Sequence, residues 1–449
     1  MTSVLLTDLY QLNMMQAYLD RGETKTAVFE FFIRRLPAQR GFLIAAGLEQ
    51  ALDFLAELRV TPDELDWLKG TGRFGNNLIA YLAELRFTGE VHAVPEGTVF
   101  FAEEPILRIT APLPEAQLVE TRLINILQFQ SMVASKAARM MLAAPGKQLV
   151  DFGFRRAHGA EAGLLAARAS YIVGLAGTAT VLAGKQFGIP IFGTMAHSYI
   201  QVHADEVEAF ENFARARPDR LTLLIDTYDS EAAARKIVAL APRLKAEGIS
   251  IGAVRIDSGD LVALSKGVRH ILDAGGLRDV NIFASGGIDE NDLVRMVAAG
   301  APINGFGVGT SLTTSFDAPA LDCAYKLEEY AGTPRRKRSV GKATWPGRKQ
   351  VWRRYGSDGR MAGDIISLAS DRQPGEPLIE PVMQAGHRLA PSPTLAQIRE
   401  RAARELERLP EALRALAPTT SYLVEVSDAL KRLAAEVDGH AARQDEAKP

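Results

Sequence analysis

The sequence predicts an α/β protein built on an irregular (β/α) barrel of about seven parallel strands, and three observations carry that prediction. Short apolar runs at 148–152, 171–174, 189–192, 221–225, 249–256, 281–284 and 303–306 recur roughly every twenty to thirty residues. Amphipathic helical patterns fill most of the intervals, which is the alternation expected of a parallel sheet closed or nearly closed on itself. The residues that end the runs are charged groups, a histidine or glycines, the composition expected at the mouth of a barrel. Seven runs are one short of a complete eightfold barrel, so the barrel is expected to be distorted or incomplete.

The elements before the barrel follow in order. Residues 1–20 read as a helix that starts at Thr7 or Asp8, with Leu9, Leu12, Met15 and Leu19 near helical spacing. Residues 26–33 (TAVFEFFI) read as a strand leading into Arg34-Arg35 and a turn at 37–41, followed by helices at 43–58 and 62–69. Strands at 89–94, 98–100 and 106–110 are punctuated by Pro95, Gly97, Pro105, Pro112 and Pro114. A domain boundary is placed near 115, with a long helix over 115–142 after it, so that 1–115 forms an N-terminal α/β domain. The barrel occupies 116–345, and 346–449 forms a C-terminal, largely helical segment. There 335–338 (RRKR) reads as a solvated loop, 342–354 as basic and turn-rich, 394–416 as helical and the last dozen residues as frayed.

Composition narrows the function classes. With 449 residues, 47% hydrophobic and 24% charged, the chain has room for large cores. A formal net charge of −2 provides no overall basic field, so nucleic acid is not an expected partner. No basic leader or uninterrupted membrane-length apolar run is present, and Asp8 interrupts the first one, which points to a cytoplasmic enzyme. The single cysteine, Cys323, excludes an internal disulfide and a cysteine-rich metal site.

The strand ends deliver the chemistry. In order they are DFGFRR (151–156), Gly177-Thr178, His197, DTYD (226–229), RIDSGD (255–260), Ser285-Gly286-Gly287 and GFGVGT (305–310). A strand ending at a histidine beside small residues places an imidazole in an open pocket, although a hydrogen-bonded structural histidine has the same local signature. The glycines suit a phosphate cradle, because backbone N–H groups without Cβ neighbours close around oxygens; the same glycines also make tight turns. Asp226, Asp229, Asp257 and Asp260 suit sugar hydroxyls or Mg2+, or else an internal salt-bridge network. Arg155 and Arg255 suit a phosphate or a ligand carboxylate, and Phe152 and Phe154 suit an aromatic ring unless one belongs to the core. Acids, arginines and phosphate loops together indicate a phosphorylated sugar substrate.

These segments resemble nicotinate phosphoribosyltransferase over most of the chain. The motifs are LLTDLYQLNM (5–14), FEFFIRRLP (29–37), DFGFRRAHG (151–159), GTATVLAGKQFGIPIFGTMAHS (177–198), LLIDTYDS (223–230), VRIDSGDL (254–261), ASGGIDE (284–290) and FGVGTSL (306–312). The resemblance implies an N-terminal α/β domain completed by C-terminal residues, an irregular barrel, and a homodimer with shared active sites. It implies that nicotinate and 5-phosphoribosyl 1-pyrophosphate yield nicotinate mononucleotide and pyrophosphate in NAD salvage, driven by ATP through a phosphohistidine and requiring Mg2+. His197 matches the phosphorylated residue, a role that suits an imidazole as phosphoryl acceptor. By the same resemblance Phe152 stacks on the base, Tyr10 reaches in from the second subunit, and Arg155 lies near the pyridine carboxylate and phosphate. Asp226 and Asp257 match the ribose or pyrophosphate side and Arg255 the neighbouring phosphate ligand; Thr178 belongs to the substrate-binding set. Gly286, Gly287, Gly307, Gly309 and Thr310 match the 5′-phosphate cradle, and Arg34, Lys342 and Lys349 match polyphosphate contacts. No group is assigned to the metal.

Two positions depart from the pattern. Amide-selective relatives carry Asp, and many nicotinate enzymes Ser, where this chain has Ala179; an uncharged wall favours nicotinate over nicotinamide. Relatives often carry an acid at the place of Gly287. The competing readings are a nicotinamide enzyme, opposed by Ala179, a quinolinate enzyme, normally shorter and without the phosphorylatable histidine, and a catalytically silent phosphoribosyl-ligand binder, which could lose His197 and the acids. A Schiff-base aldolase needs a lysine at a strand end, and none of the seven strand ends has one; a P-loop kinase needs GxxxxGK[ST], which is absent.

Overall fold

The computed structural model describes residues 3–219, 221–418 and 420–446, with side chains described through residue 440. The chain divides into two compact units, Met1–Ser135 with Ala320–Pro449, and Lys136–Pro319. The return to the first unit therefore comes at 320, before the 345 read from the sequence, and the first division falls at 135/136 inside a helix and not at 115.

The first unit opens with α1 (Leu9–Asp20) and β1 (Thr26–Ile33), whose residues after Thr26 are all buried. Residues 43–58, expected to be one helix, begin instead as β2 (Leu43–Ile44), and only then comes α2 (Leu48–Ala56). Leu43 and Ile44 pair with Phe100 and Val99, so a neighbouring strand overrides the local helical pattern. Helices α3 (Pro62–Gly70), set by a Thr61–Glu64 capping box, and α4 (Asn76–Ala83) follow. Next come β3 (Glu90–Ala93), β4 (Val99–Phe100) and β5 (Pro105–Pro112). The expected 115–142 helix is two helices, α5 (Leu113–Leu118) and α6 (Glu120–Ala143).

The second unit carries a six-stranded parallel sheet built from β6 (Gln148–Asp151), β7 (Gly177–Thr178), β8 (Leu221–Leu224), β9 (Ile251–Ile256), β10 (Asn281–Ser285) and β11 (Gly305–Val308). Its order is β7-β6-β11-β10-β9-β8. Seven barrel strands were expected; the structure shows a half-barrel. Residues 171–174 are not a strand, because α7 (Ala160–Tyr171) runs into them, and the paired residues are Gly177 and Thr178. Residues 189–192 contribute one parallel bridge, Thr178 to Ile191. Pro190 has no N–H to give a ladder, which keeps that pairing short. The connecting helices are α8 (Val181–Phe187), α9 (His197–Gln201), α10 (Glu206–Ala216), α11 (Ser230–Ala246), α12 (Leu261–Ala274), α13 (Glu290–Ala298) and α14 (Thr310–Thr313). Glu290, the first residue of α13, is buried between Lys136 and Arg139.

Back in the first unit, β12 (Cys323–Tyr330) pairs antiparallel with β1 and continues into β13 (Thr333–Pro334). The 342–354 segment, read as basic and turn-rich, contains β14 (Lys349–Tyr355), which pairs with β15 (Met361–Leu368). The remaining elements are β16 (Glu376–Pro377), β17 (Glu380–Gln384), β18 (His387–Arg388), α15 (Leu395–Arg408), α16 (Glu411–Arg414), β19 (Val424–Val426) and α17 (Asp428–Glu446). The tail expected to fray is helical to Glu446, and 447–449 lie outside the described residues. A seven-stranded antiparallel sheet, β13-β12-β1-β5-β3-β17-β18, thus draws its strands from both ends of the sequence, and β16-β14-β15-β19 form a second sheet.

Charges buried in this unit are matched to one another. Arg353 is fully buried between Asp364 (2.7 Å) and Glu405 (2.9 Å). Lys349 is 3% exposed, with its ammonium 2.9 Å from Glu30 and 3.9 Å from Glu328, so it is withdrawn from the polyphosphate role expected of it. Burial pushes the Glu328 carboxyl up to about 8, against the pull of Lys349 and with the help of Glu30. An unfolded glutamate titrates near ~4.3, so between that pH and about 8 the folded chain holds a proton that the unfolded chain releases. Stability contributed at Glu328 therefore falls as pH rises through this window. Glu328→Gln removes the slope: unfolding in denaturant at pH 5 and pH 8.5 is expected to show the variant gaining on the parent by about a few kcal/mol at the higher pH. A gap independent of pH would contradict that protonation state.

Candidate active site

A cavity of about 360 Å³ in the second unit is lined by Phe152, Phe154, Arg155, Ala179, residues 193–197, Leu224, Arg255 and Asp257. Seven of the residues singled out in the sequence, Phe152, Phe154, Arg155, Ala179, His197, Arg255 and Asp257, meet there. Parallel strands all point their C-terminal ends the same way, so residues far apart in sequence converge at one edge of the sheet.

His197 begins α9, and its Nδ1 lies 3.1 Å from the Thr227 hydroxyl. Arg255, from β9, is held by all three of its nitrogens. Nε donates to Ser285 Oγ (2.8 Å), Nη1 to Thr194 Oγ1 (3.1 Å) and Nη2 to Asp257 Oδ1 (2.6 Å). Its guanidinium also lies 5.4 Å from the centroid of the Phe152 ring, within cation–π range. Burial raises the Asp257 carboxyl, but the hydrogen bond from Ser285, the Arg255 charge and His197 outweigh it and hold the group below its ordinary value. Asp257 is therefore an anion at neutral pH.

Asp226 follows β8. Its Oδ2 accepts from the Asp257 backbone N–H (3.0 Å) and from Ser258 Oγ (2.6 Å), while Oδ1 is buried without a hydrogen-bond partner. Asp229 and Asp260, grouped with it in the sequence, do different work. Asp229 caps α11 through Ala232 N–H (2.6 Å), and Asp260 caps α12 through Val262 and Ala263 N–H (3.0 and 3.2 Å).

The glycine turns lie at the neighbouring strand ends. Gly286 has φ +105°, and a Cβ there would stand 2.0 Å from the Asp257 carbonyl oxygen, so only glycine fits. Gly287 has φ +67° with open space around it. Gly307 lies within β11, where a Cβ would come 2.5 Å from the Phe152 ring; this buried glycine makes room for the ring. Gly309 and Thr310 follow β11, and Thr310 is exposed. Thr178, expected to touch substrate, is fully buried, its hydroxyl donating to Asp151 Oδ2 (2.7 Å).

Tyr10, Arg34 and Lys342 are residues of the first unit, as is Lys349. Tyr10 is 46% exposed on α1, Lys342 is exposed, and Arg34 is paired with Asp322 at 2.9 Å. The organising hydroxyls of Thr194, Thr227 and Ser285 were not singled out as site residues in the sequence. Their signal was position alone, beside or at the ends of strands already known to converge.

Among the described residues no three His, Cys, Asp or Glu side chains cluster to hold a metal. Mg2+ does not require such a cage, since it keeps its waters and takes one or two carboxylates with substrate phosphates. The unpartnered Asp226 Oδ1 fits that pattern as one oxygen donor. No helix among the described residues is long and apolar enough to cross a membrane.

The sequence matches the nicotinate phosphoribosyltransferase N-terminal domain over 5–128, the nicotinate phosphoribosyltransferase family over 147–334, and the nicotinate phosphoribosyltransferase C-terminal domain over 373–434. It is 49% identical to nicotinate phosphoribosyltransferase pncB2 of Mycobacterium tuberculosis, across 94% of this chain and 91% of that protein. The fold is similar to human nicotinic acid phosphoribosyltransferase, with a TM-score of 0.86 and 30% identity over 96% of this chain and 99% of that one. It is also similar to a nicotinate-nucleotide pyrophosphorylase from Pyrococcus furiosus, with a TM-score of 0.73 and 26% identity over 90% and 94% of the two chains. The half-barrel with its histidine, paired arginine and acid, and glycine turns is thus set in a chain that belongs to the nicotinate phosphoribosyltransferase family.

Proposed function

We infer that this chain joins nicotinate to 5-phosphoribosyl 1-pyrophosphate, giving nicotinate mononucleotide and pyrophosphate, a step of NAD salvage. The observation that supports it best is the content of one cavity: an aromatic ring at Phe152, an uncharged wall at Ala179, and the cations of Arg155 and Arg255 beside His197. Phe152 stacks on the pyridine ring, and Arg155 faces its carboxylate. The ring nitrogen attacks C1 of the ribose with its lone pair, the C1–O bond breaks, and pyrophosphate leaves with the bonding electrons. No proton moves in this step. The Asp257 anion favours the positive charge that develops on ribose and ring, while Arg255 orients it and faces the departing phosphates.

Bound Mg2+, with Asp226 as its protein ligand, would neutralise charge on the diphosphate. We assign His197 as acceptor of the terminal phosphoryl group of ATP: an imidazole nitrogen forms the N–P bond, ADP leaves, and hydrolysis of the phosphohistidine drives the cycle. Thr227 orients the ring for that exchange. The turns at Gly286–Gly287 and Gly309–Thr310 receive the 5′-phosphate, and Gly307 supports the Phe152 ring. We also assign a cytoplasmic homodimer with shared sites, in which the partner's Tyr10 covers the second face of the base and Arg34 and Lys342 meet polyphosphate. The half-barrel is then an irregular barrel of about seven strands, with 189–192 as its rudimentary last member.

Ala179→Asp tests the base assignment. Placing a carboxylate on the exposed wall beside Phe152 is expected to raise KM for nicotinate by about tenfold or more and to improve use of nicotinamide relative to it. An unchanged ratio of acid to amide turnover would remove Ala179 from the base pocket.

A further inference from the structure

We propose that Asp151 and Thr178 act as a positioning pair that sets the shape of the base end of the cavity and thereby its affinity for nicotinate; this rests on the assignment of that cavity to nicotinate. Neither side chain reaches the cavity, since Asp151 is 1% exposed and Thr178 0%. Each immediately precedes a residue that lines it, Phe152 in one case and Ala179 in the other. Strands β6 and β7 are adjacent, with Asp151 in register with Thr178, so the pair joins the two cavity walls at their last hydrogen-bonded position.

The Asp151 carboxylate makes the link. Oδ2 accepts the Thr178 hydroxyl proton (2.7 Å) and Oδ1 accepts the Gly153 N–H (2.8 Å), which closes the backbone turn around Phe152. The Thr178 hydroxyl accepts in its turn from the Thr180 N–H (3.0 Å), closing the corresponding turn around Ala179. The Ala179 N–H donates to the Asp151 carbonyl (2.8 Å). One carboxylate and one hydroxyl thus fix both turns at once. On its other side the Phe152 ring rests against Gly307, so movement of the Asp151–Gly153 turn carries the ring with it. The glycine turn at 286–287 follows β10 and makes none of these bonds, whereas the Gly309 turn adjoins the same backbone, since the Phe152 N–H donates to the Val308 carbonyl (2.7 Å).

Chemistry limits what can replace the pair. A buried carboxylate accepting an O–H and an N–H has no substitute in an amide, which offers one acceptor oxygen and would turn its NH2 toward the other partner. Valine matches threonine in shape but leaves both Asp151 Oδ2 and the Thr180 N–H unpaired, whereas serine keeps both bonds.

Thr178→Val and Thr178→Ser, assayed beside the unmodified enzyme, test the proposal. Thr178→Val is expected to raise KM for nicotinate about tenfold or more and KM for phosphoribosyl pyrophosphate, through the adjoining Gly309 turn, by no more than about threefold, and Thr178→Ser is expected to restore both. A general loss of structure would move both KM values together and serine would not sort them; that result, or no change at all, overturns the proposal. Should the valine variant fail to fold, titration of nicotinate into folded Asp151→Asn decides, and unweakened binding overturns it. Absence of nicotinate turnover by the unmodified enzyme would instead sink the parent assignment.

Discussion

Replacing His197 by alanine is expected to abolish stimulation by ATP while leaving a slow synthesis of nicotinate mononucleotide that ignores ATP. In the proposed cycle the imidazole is the nucleophile in the phosphoryl step only, and the pyridine nitrogen is the nucleophile in the phosphoribosyl step. The two steps therefore fail separately. The rate with ATP should fall to the ATP-free rate, a drop of about tenfold or more. Thr227→Val should weaken coupling in the same direction but less, because it leaves the ring in place and removes only the partner of Nδ1 at 3.1 Å. Equal stimulation of the His197→Ala variant and its parent would remove the histidine from the phosphoryl step.

The second large effect is expected at Gly286. An alanine there must place its methyl carbon where the Asp257 carbonyl oxygen lies 2.0 Å away, at a backbone φ of +105° that residues with side chains rarely adopt. Either the 286–287 turn or the β9 end carrying Asp257 has to move, and displacement of about 1 Å in a reacting constellation costs about a hundredfold in kcat/KM. Gly287→Ala is the internal control. Its Cβ meets nothing within 4 Å, so only the strain of φ +67° applies, and the loss should stay about tenfold smaller or less. Equal losses at the two glycines would mean that the close approach to Asp257 does not organise the site.

How much of this was legible in the sequence depended on whether the cause was local. β1 was read at its true bounds because a run that is apolar from Ala27 to Ile33 except at Glu30, and buried throughout, needs no partner to be recognised. The parallel strands at 148, 221, 251, 281 and 305 were legible for the same reason. β7 was displaced onto 171–174 because a strand of two residues, Gly177 and Thr178, has no period to detect. β14 was read as basic and turn-rich because Lys349 and Arg353 carry charges whose partners, Glu30, Asp364 and Glu405, lie outside the segment. The same blindness to partners assigned Lys349 to polyphosphate.

At the site, Phe152, Arg155, His197, Arg255 and Asp257 could be collected from sequence because strand ends of a parallel sheet share an edge. Asp229 and Asp260 were misgrouped with Asp226, since an acid after a strand is also what caps the next helix. Thr194, Thr227 and Ser285 were given no role because serine and threonine carry no signature until their partners are placed.

The measurement that tests the central claim most directly is mononucleotide formation from phosphoribosyl pyrophosphate, with nicotinate and nicotinamide compared, each with and without ATP and Mg2+. Turnover of nicotinate stimulated by ATP, with nicotinamide little used, is the predicted result. Turnover of the amide in preference to the acid, or of neither, would contradict the account.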